Sequence, residues 1–164
     1  MSQPLIGANP TLSHTTKQVA LGTTFVDKAG REFIYVEADA AITAGMMCII
    51  HGDFGAQGIT DTLAVHDTGA GKTCGLAVAA IASGSFGWLA VRGTGADFLV
   101  NLVGACDDFQ PLAPTSTAGS LDNQDAGSAT APRIEGVVIT TASGGAEQEI
   151  CILNYPVTLT DYPA

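Results

Sequence analysis

The chain has 164 residues, only 13% of them charged, and a formal net charge of −10 from 16 acids against 6 bases. Its length supports one compact domain with a modest core. The charge excludes an electrostatic nucleic-acid binder, which needs a basic footprint to release counterions from phosphate, and it disfavours anionic membrane surfaces.

Gly is frequent at 20 residues, and long Leu/Glu/Lys/Arg stretches are missing. Strands and turns are therefore favoured over helical bundles. Residues 1–17 are polar, with Pro4 and Pro10 and little periodicity, and read as an extended N-terminal arm that is loose alone and orders on a partner. Two β-rich runs follow, Val19–Val26 and Arg31–Glu37, joined by a short loop ending in Gly30. Residues 38–45 read as a connector with one helical turn, Met46–His51 as a buried strand, and Gly52–Gly55 as a turn. The structure of 59–70 is not legible from pattern alone. Cys74–Ile81, Phe86–Arg92 and Asp97–Val103 read as short strands punctuated by glycines, with Gly93-Thr94-Gly95 as a tight turn.

From Gly104 to Pro132 the chain is rich in Pro and Gly, and the expectation is a long surface loop holding two very short strands, near Pro111–Pro114 and Ser120–Asp122. Arg133–Thr141 and Glu147–Asn154 form a last hairpin that turns at Ser143-Gly144-Gly145, and Tyr155–Ala164 is an extended C-terminal tail. The expected fold is all-β: a single small antiparallel β-barrel or sandwich over 18–154, with an arm at 1–17 and a tail at 155–164. No run approaches the roughly 18 apolar residues of a membrane-spanning helix.

Asp67-Thr-Gly-Ala-Gly-Lys-Thr73 ends like a phosphate-binding loop, but the pattern needs glycine at position 66, which is His66, and a helix after Thr73. CGLAVAAIASG follows instead, glycine-bounded and strand-like, so Lys72 reads as a turn lysine ahead of a strand. Gly93-Thr-Gly95 lacks the third glycine of a dinucleotide fingerprint, since residue 98 is Phe98. Cys48, Cys74, Cys106 and Cys151 show no CxxC pair or zinc-finger rhythm and read as reduced, buried, small hydrophobes. His14, His51 and His66 make no HExxH or i, i+4 pair. Asp107-Asp108 reads as a solvated turn, and Asp122–Asp125 lacks the order of a calcium loop. Trp88 reads as core, with a sugar-stacking face as the other use; Arg92 and Arg133 read as surface charges or as partners for a neighbouring copy's acids. No catalytic, cofactor-binding or metal-binding set is expected.

The pattern as a whole resembles the small head-decoration, or cement, proteins of tailed bacteriophages. The residues that carry it are Gly22, Asp27, Gly30 and Tyr35 in the first strand pair, then Ile42 and Gly45 at the entry to a buried strand. Gly75 and Ala77 follow in the next strand, and Gly87, Trp88, Val91 and Gly93 in the tryptophan strand. The resemblance covers about residues 20–154 and consists of turn glycines and core positions. It implies a non-enzymatic virion protein on the capsid exterior, assembled in the host cytoplasm, often as a homotrimer, with the major capsid protein as partner and no nucleic acid, membrane or cofactor. The two ends, 1–17 and 155–164, are the expected partner contacts. The other reading of the same features is a different phage structural module, such as a tail, fibre or carbohydrate-binding adhesin domain.

Overall fold

Strand formation follows the β-branched and aromatic runs, and a computed structural model of the chain describes it over residues 8–65, 72–124 and 132–159. In chain order the elements are β1 (Thr24–Val26), β2 (Glu32–Ala38), β3 (Met47–Ile50), β4 (Gly55–Gly58), α1 (Asp61–Val65), β5 (Cys74–Ala77), β6 (Phe86–Asn101), β7 (Leu112–Pro114), β8 (Leu121–Asn123), β9 (Arg133–Ile139) and β10 (Gln148–Leu159). They form one ten-stranded sheet in the order β1-β2-β4-β3-β5-β6-β10-β9-β7-β8. A further β2–β6 pairing closes β2, β4, β3, β5 and β6 into a small barrel-like ring. The fold is all-β, as expected; within the ring the β2–β4 pair is parallel and the others are antiparallel.

Side-chain alternation divides the core in two. Val36, Ala38, Cys48, Ile50, Ala56, Ala77, Leu89 and Val91, together with Ile42 and Ile81, form one cluster. Every ring strand contributes to it and β7–β10 do not, so it is the filling of the ring. The alternate residues, Phe33, Tyr35, Met47, Ile49, Leu76, Trp88 and Ala90, join a larger cluster with β1 and the β6–β10 extension. Its aromatic centre is tightly interlocked. Phe25 stacks on Phe33 at 5.0 Å and meets Trp88 edge-on at 4.7 Å, while Tyr35 lies 4.8 Å from Trp88. The four cysteines are free and buried, and burial pushes the thiols of Cys74 and Cys151 up to about 12.

β6 corrects the reading of Gly93-Thr94-Gly95 as a turn. The strand runs unbroken for 16 residues. Its first half pairs with β2 and β5 inside the ring, and its second half pairs with β10 outside it. The glycines allow another residue to cross the strand. Arg31 lies over this stretch, and a Cβ on Gly93 would sit 2.9 Å from the Arg31 Cγ and 3.1 Å from its Cα. Gly93 also holds φ at +113°, in the region that L side chains rarely adopt. The Arg31 Nε donates to Asp27 Oδ2 at 2.7 Å and Nη1 donates to Asp97 Oδ1, with the guanidinium over the Phe33 and Phe98 rings at 5.7 and 5.3 Å.

Other boundaries also moved. The expected helical turn at 38–45 is absent; Ile42 instead exchanges two main-chain hydrogen bonds with Ile81. The helix is α1, in the stretch that pattern left unread, with Thr60 Oγ1 accepting from the Leu63 N–H at its start. The expected turn Gly52–Gly55 leads into β4. β7 and β8 are the two short strands expected in the 104–132 loop, and they pair with each other. Tyr155–Leu159 is not a separate tail but the end of β10, with Val157, Thr158 and Leu159 paired to β9. Of the arm, residues 8–17 lie on the domain, where His14 exchanges two 2.8 Å main-chain hydrogen bonds with Phe86. Residues 1–7 and 160–164 fall outside the described residues.

Two outcomes follow. Gly93→Ala should lower stability by about 2 kcal/mol, from strain and the collision with Arg31, whereas Gly144→Ala, with open space at its Cβ, should be close to neutral; urea unfolding of both variants checks this. Burial acts to raise the Asp27 pKa, but hydrogen bonds from the Arg31 N–H, the guanidinium and the Ala29 N–H outweigh it and hold the carboxyl below its usual value. A depressed carboxylate adds stability above its unfolded pKa of about 4 and loses it as pH falls through the folded value. Asp27→Asn should therefore flatten the fall of urea stability below about pH 4.

Candidate interaction surface

Outside the ring, β6, β10 and β9 form a three-strand face. Directly paired residues share a side of a sheet, so the register assigns its outer side. β10 presents Gln148, Ile150, Ile152 and Asn154, opposite Asn101, Leu99, Thr94 and Arg92 of β6. On the other flank Val138 of β9 pairs with Ile152. Ile150 and Ile152 are each 37% exposed, and Val138 and Leu99 are half-buried beside them. Arg92 is the only charged residue among these positions. In a chain with 16 acids, an uncharged apolar row in mid-sheet is a departure from its surroundings. The inner side of the same strands carries Cys151, Leu153, Val137 and Ile139, all buried, so the row is backed by a packed core.

At one end of the row, β10 bulges. Its register with β9 shifts between Leu153 and Val157, which leaves Asn154, Tyr155 and Pro156 without β9 partners. Gly136 accommodates this from the β9 side with φ at +82°, where a Cβ would lie 2.5 Å from the Asn154 carbonyl oxygen. Tyr155 takes φ of 50°, a costly conformation for a bulky residue. Its ring is 47% exposed. The hydroxyl donates to Glu32 Oε2 at 2.7 Å, and the Arg92 guanidinium lies 6.0 Å from the ring centroid. The hydrogen bond to Glu32 raises the phenol above its ordinary pKa, so the group stays a neutral donor well into alkaline solution. A tyrosine and an arginine held at the rim of an apolar row are the residue types that dominate interface hot spots.

A cleft of about 330 Å³ lies on the far side of β9, lined by Phe109, Pro111 and residues 133–138. Phe109 is 60% exposed with φ of 54°. Val138 belongs both to this cleft and to the β10 row, so the two apolar features are continuous.

The other residues singled out from sequence are dispersed. Trp88 is buried, between Phe25 and Tyr35, so the face that a sugar would stack on is not presented. Arg133 is paired with Glu135 at 3.1 Å. Asp107 and Asp108 are exposed, the Asp107 N–H donating to Asn123 Oδ1; Asp122 accepts from the Asn123 N–H, and Asp125 lies outside the described residues. Thr73 leads directly into β5, a strand where a phosphate loop needs a helix; residues 67–71 and His66 lie outside the described residues. His14 is on the arm, while His51 follows β3 and faces Lys72 and Asp39. Of the two expected partner-contact ends, the described part of the second, Tyr155–Leu159, does border the apolar row. Sequence reading missed the row itself, although EICILN carries its signal: isoleucines alternate with Cys151 and Leu153, so both sides of the strand are apolar.

Tyr155→Gly should leave folded stability within about 1 kcal/mol of the parent, because relief of the positive φ offsets the lost contacts with Glu32 and Arg92; thermal and urea unfolding measure it. No protein-family model matches the chain, and no curated relative matches it.

Proposed function

We propose that the protein is a structural virion component that binds the outer surface of a phage capsid and stabilises the shell by bridging neighbouring capsid subunits, as a homo-oligomer, with a trimer favoured. The observation that carries the reading is the uncharged Ile150/Ile152 row with Tyr155 and Arg92 at its end, an adhesive surface on a rigid all-β body. The residues behind the resemblance to head-decoration proteins support it from the fold. Gly22, Gly30, Gly45 and Gly93 all hold positive φ, and Gly75 and Gly87 sit where a Cβ would meet Leu89 and Ile81. These are geometric roles in a scaffold, and the proposed task is adhesion without a catalytic step.

The physical mechanism is linkage. A molecule that binds only the assembled shell raises the cost of its disassembly; at a free concentration of about 100 times Kd, each occupied site adds about 2.7 kcal/mol. Weak individual contacts suffice when several are engaged at once. The acids elsewhere on the surface keep free copies apart in solution.

The test is co-sedimentation of the purified protein with phage heads stripped of accessory proteins, followed by thermal disruption of the shells. Saturable binding at a stoichiometry comparable to that of the major shell protein, with a higher disruption temperature, is the expected outcome. Binding at only a handful of sites per particle would move the protein to a tail or portal role. Ile152→Asp should cost the monomer about 1 kcal/mol or less. The same variant should abolish shell binding or self-association, because a desolvated carboxylate without a partner is costly in an interface.

A further inference from the structure

Lys72 is the one letter of the Gly-Lys-Thr triplet that the strand context does not explain away. Its main chain is fixed to β10: the Lys72 N–H donates to Thr158 Oγ1 at 3.2 Å, and the Thr158 N–H donates to the Lys72 carbonyl at 3.0 Å. Its ammonium lies 3.3 Å from His51 Nδ1. An ammonium only donates, so Nδ1 is the acceptor and the ring proton sits on Nε2. Nε2 faces the Asp39 carboxylate at 3.7 Å, and Gln57 Nε2 lies 3.3 Å from it; a ring proton on Nε2 requires that amide to be assigned with its oxygen toward the ring.

Three carboxylate–guanidinium pairs form among the described residues, and Lys72 is paired with no carboxylate. In a chain of net charge −10 this half-buried ammonium is satisfied by one neutral nitrogen, with two donors to spare. Lys72 and His51 form the polar wall of a cleft of about 410 Å³, whose apolar walls are Ile34, Ile50 and Phe54. Phe54 is held there at φ of 65°, its ring packed over Gly22 where no Cβ is tolerated.

We infer that this cleft is a binding site for an apolar monocarboxylate, with Lys72 pairing the carboxylate and Ile34, Ile50 and Phe54 enclosing the hydrocarbon. A single ammonium matches a single negative charge. A dianion such as phosphate monoester is disfavoured because Asp39 stands on the other side of His51 and, among the described residues, no second cation lines the cleft. The carboxylate belongs either to a free aliphatic or aromatic acid or to the C-terminus of a peptide ending in an apolar residue. The site is distinct from the β10 row and does not depend on the capsid reading.

The test is titration of ¹⁵N-labelled full-length protein, following amide shifts of Gly52, Thr73 and Phe54. Benzoate probes a free acid, and Gly-Gly-Phe probes a chain end; benzyl alcohol and the C-terminal amide of Gly-Gly-Phe are their neutral counterparts. Benzoate should saturate these shifts with Kd of about 1 mM, the range set by its few heavy atoms. Benzyl alcohol, and benzoate added to Lys72→Met, should bind about tenfold more weakly or not at all. Tighter binding of Gly-Gly-Phe than of benzoate assigns the site to chain ends, and the reverse assigns it to small acids. Equal shifts from the neutral probes, no change in Lys72→Met, or no saturable shift with either acid would overturn the inference. The comparison of charged and neutral probes uses the unaltered protein, so it decides the matter even if the variant does not fold.

Discussion

The architecture depends on one contact, the passage of Arg31 across β6. A closed ring of short strands has no edge to extend from, yet the sheet continues past it into β10, β9, β7 and β8. It does so because β6 is twice the length the ring needs, and at the exit, where its register with β2 shifts, it is covered by Arg31. The guanidinium is held by Asp27 from its own hairpin and by Asp97 from farther along β6. Its flat face rests on Phe33 of the ring strand β2 and Phe98 of the β6 extension, both members of the larger cluster. One side chain therefore ties the outer side of the ring to the sheet that continues from it. Its Nε and Nη1 each meet a carboxylate and most of the side chain is buried, the arrangement in which an ion pair is worth more than a fully exposed one. A lysine would keep the charge and lose both the fork and the stacking.

That continuation past the ring is what creates an interaction surface. In the ring, one side of every strand fills the barrel, and the other side of β2, β3, β5 and β6 packs into the larger cluster. In β10 only one side is covered, by Cys151, Leu153 and their neighbours. The opposite side is left with isoleucines on a row free of acids. For an isolated protein of this charge, polar or acidic residues there would be the solubilising choice. The bulge at Asn154–Pro156 sharpens the point. It costs pairing with β9 and places a tyrosine at positive φ, and strain of that kind persists where the surrounding structure enforces it. Here Gly136 makes room for the bulge, and Glu32 and Arg92 hold the ring at the surface.

Much of this was readable from sequence where a rule acts within a few residues. The alternation in Arg31–Glu37, the apolar run Met46–His51, the two short strands of the 104–132 loop and the final hairpin all follow from period-two burial and turn residues. The misreadings share a different cause: each depends on a partner far away in sequence. Gly-Ala-Gln-Gly of β4 has no strand-like composition and is a strand because Glu37 and Ala38 pair with Gly55 and Ala56. Gly93-Thr94-Gly95 looked like a turn because glycine pairs usually make one; what the glycines accommodate is Arg31, 62 positions earlier in the chain. Tyr155-Pro156 looked like the start of a tail because a proline and a break in alternation commonly end strands, and β10 resumes after them only because β9 supplies Glu135, Ile134 and Arg133 as partners.

Lys72 shows the same dependence at the level of chemistry. In a strand–loop–helix, a Gly-Lys-Thr triplet places lysine and backbone N–H groups around phosphate. Here Thr73 bridges to Val157 and the chain enters β5, so from Thr73 onward the main chain is part of a sheet and no helix opens behind the lysine. The lysine is turned instead toward His51 at the end of β3, with apolar walls from β2 and from the β3–β4 turn. The ligand class follows from those neighbours and not from the triplet. One positive charge beside an aspartate and a hydrocarbon surface selects for low charge and for apolar bulk, the opposite of a nucleotide.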